Sequence, residues 1–454
     1  MVLSEVFERF SKESPVCVMV RAALENVVSA ERLDDLFART AVRQRSKELL
    51  FSTVADLMGL VVCRVRPSMH AAFQSRDVGV TIKAVYDKLQ RIEPAVSRAM
   101  VQDTAQRMAK IIGHMEGGLP GLLPGYRVKI LDGNHLPRTQ RRLKELRTRN
   151  VAPLPGHSLV VLDPALMLAI DVFPCEDGHA QERSLLPAVL ETVTANDVWI
   201  ADRNFCTTGF LCGIADRGAF FLIRQHRGTL NYELLGREKK VGRTHTGVVY
   251  EQALRLARPP DGPPLILRRI TIRLDKPTRN GDDEIHVLTN LAAKIDGVVL
   301  AEAYRRRWTV EGAFQEMEAH LHGEIETLGY PQAALFAFCL ALVSYNILSV
   351  IKAALRAAHG AEKIEQEISG YYLADEVAGT WRGMMIVLPS EYWTDRFGTY
   401  TPSEMARFLI AQARHIRLAA FRKHPRGPKK KPTKVNKKQR RHASTQRILN
   451  ERRT

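Results

Sequence analysis

Two aspartates, each following a run of apolar residues, are the first candidates for chemistry: Asp132 in "KILDGNHL" and Asp202 in "VWIADRNF". An acid just past an apolar strand sits at the carboxyl edge of a sheet, where α/β folds commonly place their sites. A third acid, Glu311, lies in "YRRRWTVEGAFQEMEAHLHGE", residues 304 to 324. Projected at about 100° per residue, Ala303, Val310, Phe314, Met317 and Leu321 fall on one narrow stripe, so this stretch is a packed helix. Tyr304, Arg307, Glu311, Gln315, Glu318 and His322 form a band bordering that stripe, at the core's edge, where a cleft opens. Three carboxylates from three elements are an inventory of hard oxygen ligands for Mg²⁺ or Mn²⁺, which take few carboxylates and leave room for substrate phosphate oxygens. Two such ions about 3.5 to 4 Å apart activate an attacking oxygen and stabilise a leaving one in phosphodiester chemistry.

Each signal has an ordinary reading beside it. Strand-end aspartates often only start turns, and Asp163, Asp171 and Asp197, which also flank strands, are taken as turn or capping residues. Arg307 and Glu311 can be an i,i+4 ion pair, although such pairs contribute only about 0.2 to 0.5 kcal/mol and prefer Glu on the N-terminal side, the reverse of the order here. His135 fits a hydrogen-bonding or DNA-contacting role better than a metal-ligating one. Trp308 can stack on a base or simply pack. Arg203 can bind phosphate or neutralise the acids beside it. The run "PRTQRRLKELRTR" (137 to 149) has six basic residues and one acid. Its adjacency to Asp132 favours a phosphate clamp built from Arg138, Arg141 and Arg142 over a solvated loop.

The elements that must position these residues change along the chain. Residues 1–112 have helical apolar spacing, with Ser46 as a candidate cap, and only a mild excess of 17 basic over 13 acidic residues. The Gly- and Pro-dense stretch 113–126 is a linker. From Arg127 short apolar strands alternate with helical stretches, which indicates a mixed α/β domain over 127–355. Within it, 224–291 is an extended, polar β insertion with a hairpin turn near "RNGDD". Residues 356–421 form a C-terminal helical region ending in the helix "TPSEMARFLIAQARHIRLAAF". The apolar stretch 333–351 carries Ser344, Tyr345, Asn346 and Ser349 and suits a buried helix better than a membrane span.

At 454 residues and 45% hydrophobic content, the chain can bury a substantial core in two or three domains. The acids in "MVLSEVFERF" exclude a basic signal-peptide start. Six cysteines without a CxxC pair argue against a zinc site or disulfide framework and for a reducing, intracellular compartment. The net charge is +18, and residues 422–454 hold fourteen Lys or Arg against Glu451 alone, so this tail carries most of it. Its Pro-interrupted, apolar-poor composition predicts disorder when free and counterion-releasing affinity for DNA.

Asp132 in "DGNHL", Asp202 in "ADRNF" and the Tyr304, Arg307, Glu311 spacing in "YRRRWTVEGAFQ" resemble the three signature regions of DDE transposases of the insertion-sequence-four family. The order is the same, and the β insertion lies in the corresponding place. The resemblance implies an RNase H-like catalytic domain with a β insertion, preceded by a helical domain that binds DNA ends and followed by helices and a basic tail. It implies Asp132, Asp202 and Glu311 as the catalytic, metal-binding triad holding two Mg²⁺ or Mn²⁺ ions, with Tyr304 and Arg307 on the DNA backbone near the cut. The expected partners are element ends and target DNA, with a homodimer at synapsis and a hairpin intermediate, in the cytoplasm and nucleoid of a prokaryote and away from any membrane. One position departs: the family expects Lys seven residues after the Glu, where this chain has Glu318. The rival readings are a non-catalytic DNA-binding repressor or architectural descendant, and an RNase H-like metal-dependent nuclease without strand transfer.

Overall fold

The computed structural model describes residues 2–45, 48–226, 228, 230–258, 262–278, 281–424 and 441–451. The cap at Ser46, the Arg279–Asn280 part of the hairpin turn and most of the basic tail lie outside the described residues. The strands are β1 (Arg127–Leu136), β2 (Ala152–Leu154), β3 (Gly156–Asp163), β4 (Leu168–Cys175), β5 (Asp197–Ala201), β6 (Phe220–Arg224), β7 (Tyr232–Thr244), β8 (Gly247–Arg258), β9 (Gly262–Leu274), β10 (Glu284–Thr289) and β11 (His442–Ser444).

Nine of them form one sheet in the order β4-β3-β1-β5-β6-β10-β9-β8-β7. The middle strands β1, β5 and β6 run parallel, while β3 and β4 add antiparallel on the β1 side. This five-strand unit has the RNase H-like arrangement. The β insertion is continuous with it, because β10 pairs antiparallel with β6 and carries β9, β8 and β7 outward. Strand residues alternate between two cores, as the twofold side-chain period requires. Val128, Ile130, Val160, Leu162, Val198, Ile200 and Leu222 face the larger core. Leu131, Leu159, Val161, Trp199, Ala201, Phe221 and Ile223 face a smaller one, covered by the helices Leu186–Leu190 and Thr208–Asp216.

The larger core does not stop at the domain limits drawn from the sequence. The helices from Val2–Glu13 to Pro94–Met115, the long helix Pro331–His359 and the helices of 361–414 share it. The Asn26 amide donates to the Phe397 and Tyr400 carbonyls, each at 2.9 Å, and the Thr394 hydroxyl donates to Glu25 at 2.8 Å. The first 112 residues are thus one wall of a joint helical layer, not a body with a core of its own. The linker begins slightly later than expected, because the helix Pro94–Met115 runs past residue 112. The helix Pro331–His359 is long and apolar enough to cross a membrane, but 94% of its most apolar window is buried inside the protein. Its Asn346 amide accepts from Ala169 N (2.7 Å) and donates to Ala169 O (2.8 Å), which fixes β4 against the helix.

Two other expectations change. Residues 442–450 of the tail are ordered: β11 pairs with β2, and the short helix Thr445–Asn450 follows it. Arg447 pairs with Asp177 and Glu451 with Arg149, both at 2.8 Å. The strand-flanking aspartates also divide. Asp163 accepts from Ala165 N and Leu166 N, as a turn residue does. Asp171 takes both arms of the Arg98 guanidinium at 2.9 Å, which ties the helix Pro94–Met115 to β4. Asp197 caps its turn through Thr194 and also pairs with the buried Lys129 at 2.6 Å.

Candidate active site

The strand register brings the two aspartates together. The parallel pairing of β1 with β5 ends at Leu131 and Ala201, and Asp132 and Asp202 are the residues that follow each of them in the chain. Neighbouring strands lie roughly 4.8 Å apart, so the two carboxylates start from adjacent backbone positions at the carboxyl edge. Asp132 does not end its strand, since β1 continues antiparallel to β3 as far as Leu136. β5 does stop before Asp202, whose side chain caps the short turn Arg203–Phe205 by accepting from Arg203 N.

The third acid arrives on a helix. The helical stretch around Glu311 is two helices, Gly297–Arg305 and Trp308–His320, with Arg306 and Arg307 at the joint. Ala303, Val310, Met317 and Leu321 are buried and Phe314 packs at the edge, as the apolar stripe requires. This burial turns Arg307 inward. Its guanidinium donates through Nη1 to Asp132 at 2.7 Å and through Nη2 to Glu311 at 2.8 Å, with the side chain only 7% exposed. Arg307 therefore bridges two of the expected metal ligands and does not point outward to a DNA backbone. Tyr304 is 6% exposed and belongs to the core beneath it, so a direct backbone contact is not open to it here. Burial pushes the Tyr304 hydroxyl well above its usual pKa.

Electrostatics report the same crowding. Burial, first of all, lifts the pKa of Asp132 to about 6. The Arg307 guanidinium and the Gly133 N–H pull the other way, and the charges of Glu311 and Asp202 push it up again. Arg307 itself is held more firmly protonated by Asp132, Tyr304 and Glu311, against the opposing effect of burial. The two shifts agree: the pair attracts, but for the acid the loss of water outweighs the attraction. Asp132 resists ionisation and shares a guanidinium with Glu311, so the site is short of positive charge, and oxygen donors in that condition suit a hard divalent cation. Among the described residues, however, no three His, Cys, Asp or Glu side chains stand close enough together to hold a metal ion. The donor set fits a metal by its chemistry, with Arg307 lying between two of its members.

The remaining expected contacts separate by exposure. Arg203 is exposed beside Asp202. Trp308 is 60% exposed, and the Arg307 guanidinium carbon lies 4.7 Å from its ring centroid, which leaves one indole face open at the mouth of the site. Arg138 pairs with Glu326 at 2.9 Å, Arg141 donates to the Val151 carbonyl at 2.9 Å, and Arg142 donates to the Gln140 side chain at 2.9 Å. Arg138 and Arg142 are exposed, while Arg141 is half-buried and helps hold its loop. Glu318 is exposed on the far part of the helix.

Sequence reasoning missed Glu182. Its carboxylate accepts from the Asn204 amide at 2.6 Å and lies 3.4 Å from His135 Nε2. The His135 hydrogen bond is the main reason its pKa falls, and Glu182 in turn raises that of His135. Glu182 follows no apolar strand and matches no spacing. The signal that could have found it is the pair of small or amide residues, Gly133 and Asn204, that flank the two aspartates.

Residues 124–347 match the family model described as the transposase DDE domain. A putative transposase, y4zB, from Sinorhizobium fredii (strain NBRC 101917 / NGR234) is 28% identical over 160 residues, covering 35% of this chain and 43% of that protein. This chain thus spans less than half the length of that relative. Both findings support a DDE transposase, and neither singles out the insertion-sequence-four family. A cryo-EM structure of the piggyBac transposase synaptic complex with hairpin DNA aligns over 94% of this chain and 88% of that one, with a TM-score of 0.43 and 10% identity.

Proposed function

We infer that the chain is a DNA transposase of the insertion-sequence-four type, which binds the ends of its mobile element, cleaves there and joins the freed 3′-OH to target DNA. The observation that carries this reading is the register that sets Asp132 beside Asp202, with Glu311 linked to Asp132 through one guanidinium. Asp132, Asp202 and Glu311 would hold Mg²⁺ or Mn²⁺, which when bound supplies the positive charge that stabilises in-line displacement at phosphorus.

The chain's own groups do the rest. The Arg307 fork, when not engaged with Asp132 and Glu311, matches two oxygens of a phosphate. The open face of Trp308 offers a stacking platform for an unpaired base beside the cut. Arg203, Arg138 and Arg142 present cations on the two loops that leave the aspartates. The half-buried Arg141 serves these by holding the loop. Tyr304 supports Arg307 from below instead of meeting DNA. The helical layer of residues 1–112 contributes to end recognition, two chains pair at synapsis, and the protein works on the nucleoid.

Incubating the protein with Mg²⁺ and DNA that carries the element's own ends tests this directly. The expected result is cleavage at the ends followed by joining to target DNA. Cleavage alone would assign a nuclease, and retained binding without a cut would assign a DNA-binding descendant. The tail makes a separate contribution. Residues 425–440 hold eight Lys or Arg and no acid. Replacing Lys429, Lys430, Lys431, Lys437 and Lys438 by Gln should flatten the plot of log K against log salt by up to about 0.9 per lost phosphate contact, without changing the cleavage site. An unchanged slope would show that these lysines do not touch DNA.

A further inference from the structure

Beside the three acids lies a second polar group that the proposed chemistry does not use. Glu182 belongs to the segment between β4 and β5, yet its carboxylate reaches both the strand that carries Asp132 and the turn that follows Asp202. On β1 it lies against the Gly133 backbone so closely that a Cβ at that residue would stand 1.9 Å from its Oε1. Also on β1, His135 Nε2 is 3.4 Å away. On the turn after β5, the Asn204 amide donates to Glu182 Oε2 at 2.6 Å, while the neighbouring Arg183 donates through Nε to the Asn204 carbonyl at 2.6 Å. Asn204 is therefore held by its side chain and its backbone at once, from two consecutive residues.

These contacts account for residue types that a metal site alone leaves unexplained. Gly133 is the residue that admits the carboxylate, Asn204 is its donor, and His135 its imidazole neighbour. Only 17% of the Glu182 side chain is exposed, so the bond to Asn204 is shielded from competing water. Asp132 precedes Gly133 directly, and Asp202 lies two residues before Asn204 in a turn of three residues. One carboxylate that packs against Gly133, meets His135 and bonds Asn204 therefore constrains the spacing of the two aspartates beyond the point where the β1–β5 pairing ends.

We propose that Glu182 is a positioning residue that clasps the strand carrying Asp132 to the turn carrying Asp202, so that both carboxylates can serve one divalent cation. This rests on the functional reading above. Outer partners that orient metal-binding side chains typically change affinity or activity by about 10 to 100-fold when removed, and the clasp falls in that class.

The test measures the Mn²⁺ concentration giving half of the maximal thermal shift, alongside cleavage of end-bearing DNA. Glu182→Ala and Asn204→Ala should each raise that concentration about 10-fold or more, and the double variant should be no worse than either alone, because the two residues act through one bond. Glu182→Gln keeps an acceptor oxygen for Asn204 and should return to within about threefold of the wild type. Gly133→Ala, which displaces the carboxylate, should match Glu182→Ala and add nothing to it. Losses that multiply in the double variant, or a Glu182→Ala protein that binds Mn²⁺ like the wild type, would overturn the clasp. If Glu182→Ala does not fold, Asn204→Ala against Glu182→Gln gives the same decision. A wild type that shows neither a Mn²⁺ shift nor cleavage would overturn the functional reading instead, so the two failures are distinguishable.

Discussion

Asp132→Asn is expected to make the metal-free protein more stable at pH 7.5, by on the order of 2 kcal/mol, while it abolishes cleavage. The sign follows from the direction of the shift. The folded pKa of Asp132 is raised to about 6, above its ordinary value of 3.8. The folded protein therefore holds that proton more tightly than the unfolded chain does, and its stability falls as pH rises from about 4 through about 6. Above that window the wild type bears the full cost of a buried carboxylate, which the amide does not incur. Below about pH 4 both proteins carry a neutral group at this position, and the difference should vanish. Urea unfolding at pH 4 and pH 7.5 in the presence of a chelator measures it. Cleavage should fall by at least about 10³-fold, beyond the 10 to 100-fold typical of an outer partner. A variant less stable than the wild type at pH 7.5 would mean that the bond to Arg307 outweighs the burial of the acid.

Arg307→Ala should have the opposite effect without metal and a larger response with it. Its guanidinium is the cation shared by Asp132 and Glu311. Removing one partner of a buried pair costs about 3 to 5 kcal/mol because the other charge is left uncompensated. Here the lower end applies, since the Glu311 side chain is 33% exposed and solvent screens it. The metal-free variant should lose about 3 kcal/mol. Saturating Mn²⁺ should recover most of that loss and give a larger rise in Tm than in the wild type, where metal must first displace the guanidinium. Equal Tm shifts in variant and wild type would show that Arg307 and the metal do not compete for the same carboxylates.

Much of this architecture is legible in the chain because it depends on period and punctuation. The apolar strands that carry Asp132 and lead to Asp202, the extended insertion, the apolar stripe of the helix carrying Glu311 and the buried character of Pro331–His359 all follow from local pattern, although β1 runs on past Asp132 to Leu136. Partnership does not. A stripe on the helices of residues 1–112 states that they are covered, but not that residues from 331 onward cover them, so a shared layer is taken for a separate domain. The same limit applies at the site. The band containing Tyr304 and Arg307 borders the core, but whether its members face the cleft or the interior depends on the joint at Arg306 and Arg307, which splits the helix and turns both inward. Glu182 is silent in sequence because its role depends on two residues brought to it by the sheet. The ordered piece at 442–450 is hidden by its basic surroundings, with the buried Ile448 and Thr445 among its few anchors.

The central claim is that Asp132, Asp202 and Glu311 form one shared divalent-metal site, and melting curves of the wild type, Asp132→Asn, Asp202→Asn and Glu311→Gln with and without Mn²⁺ test it most directly. Each substitution removes one donor of a shared site, so each should erase most of the stabilisation that Mn²⁺ gives the wild type. An equal Mn²⁺ response in all four proteins would contradict the shared site and leave the aspartates as ordinary turn residues.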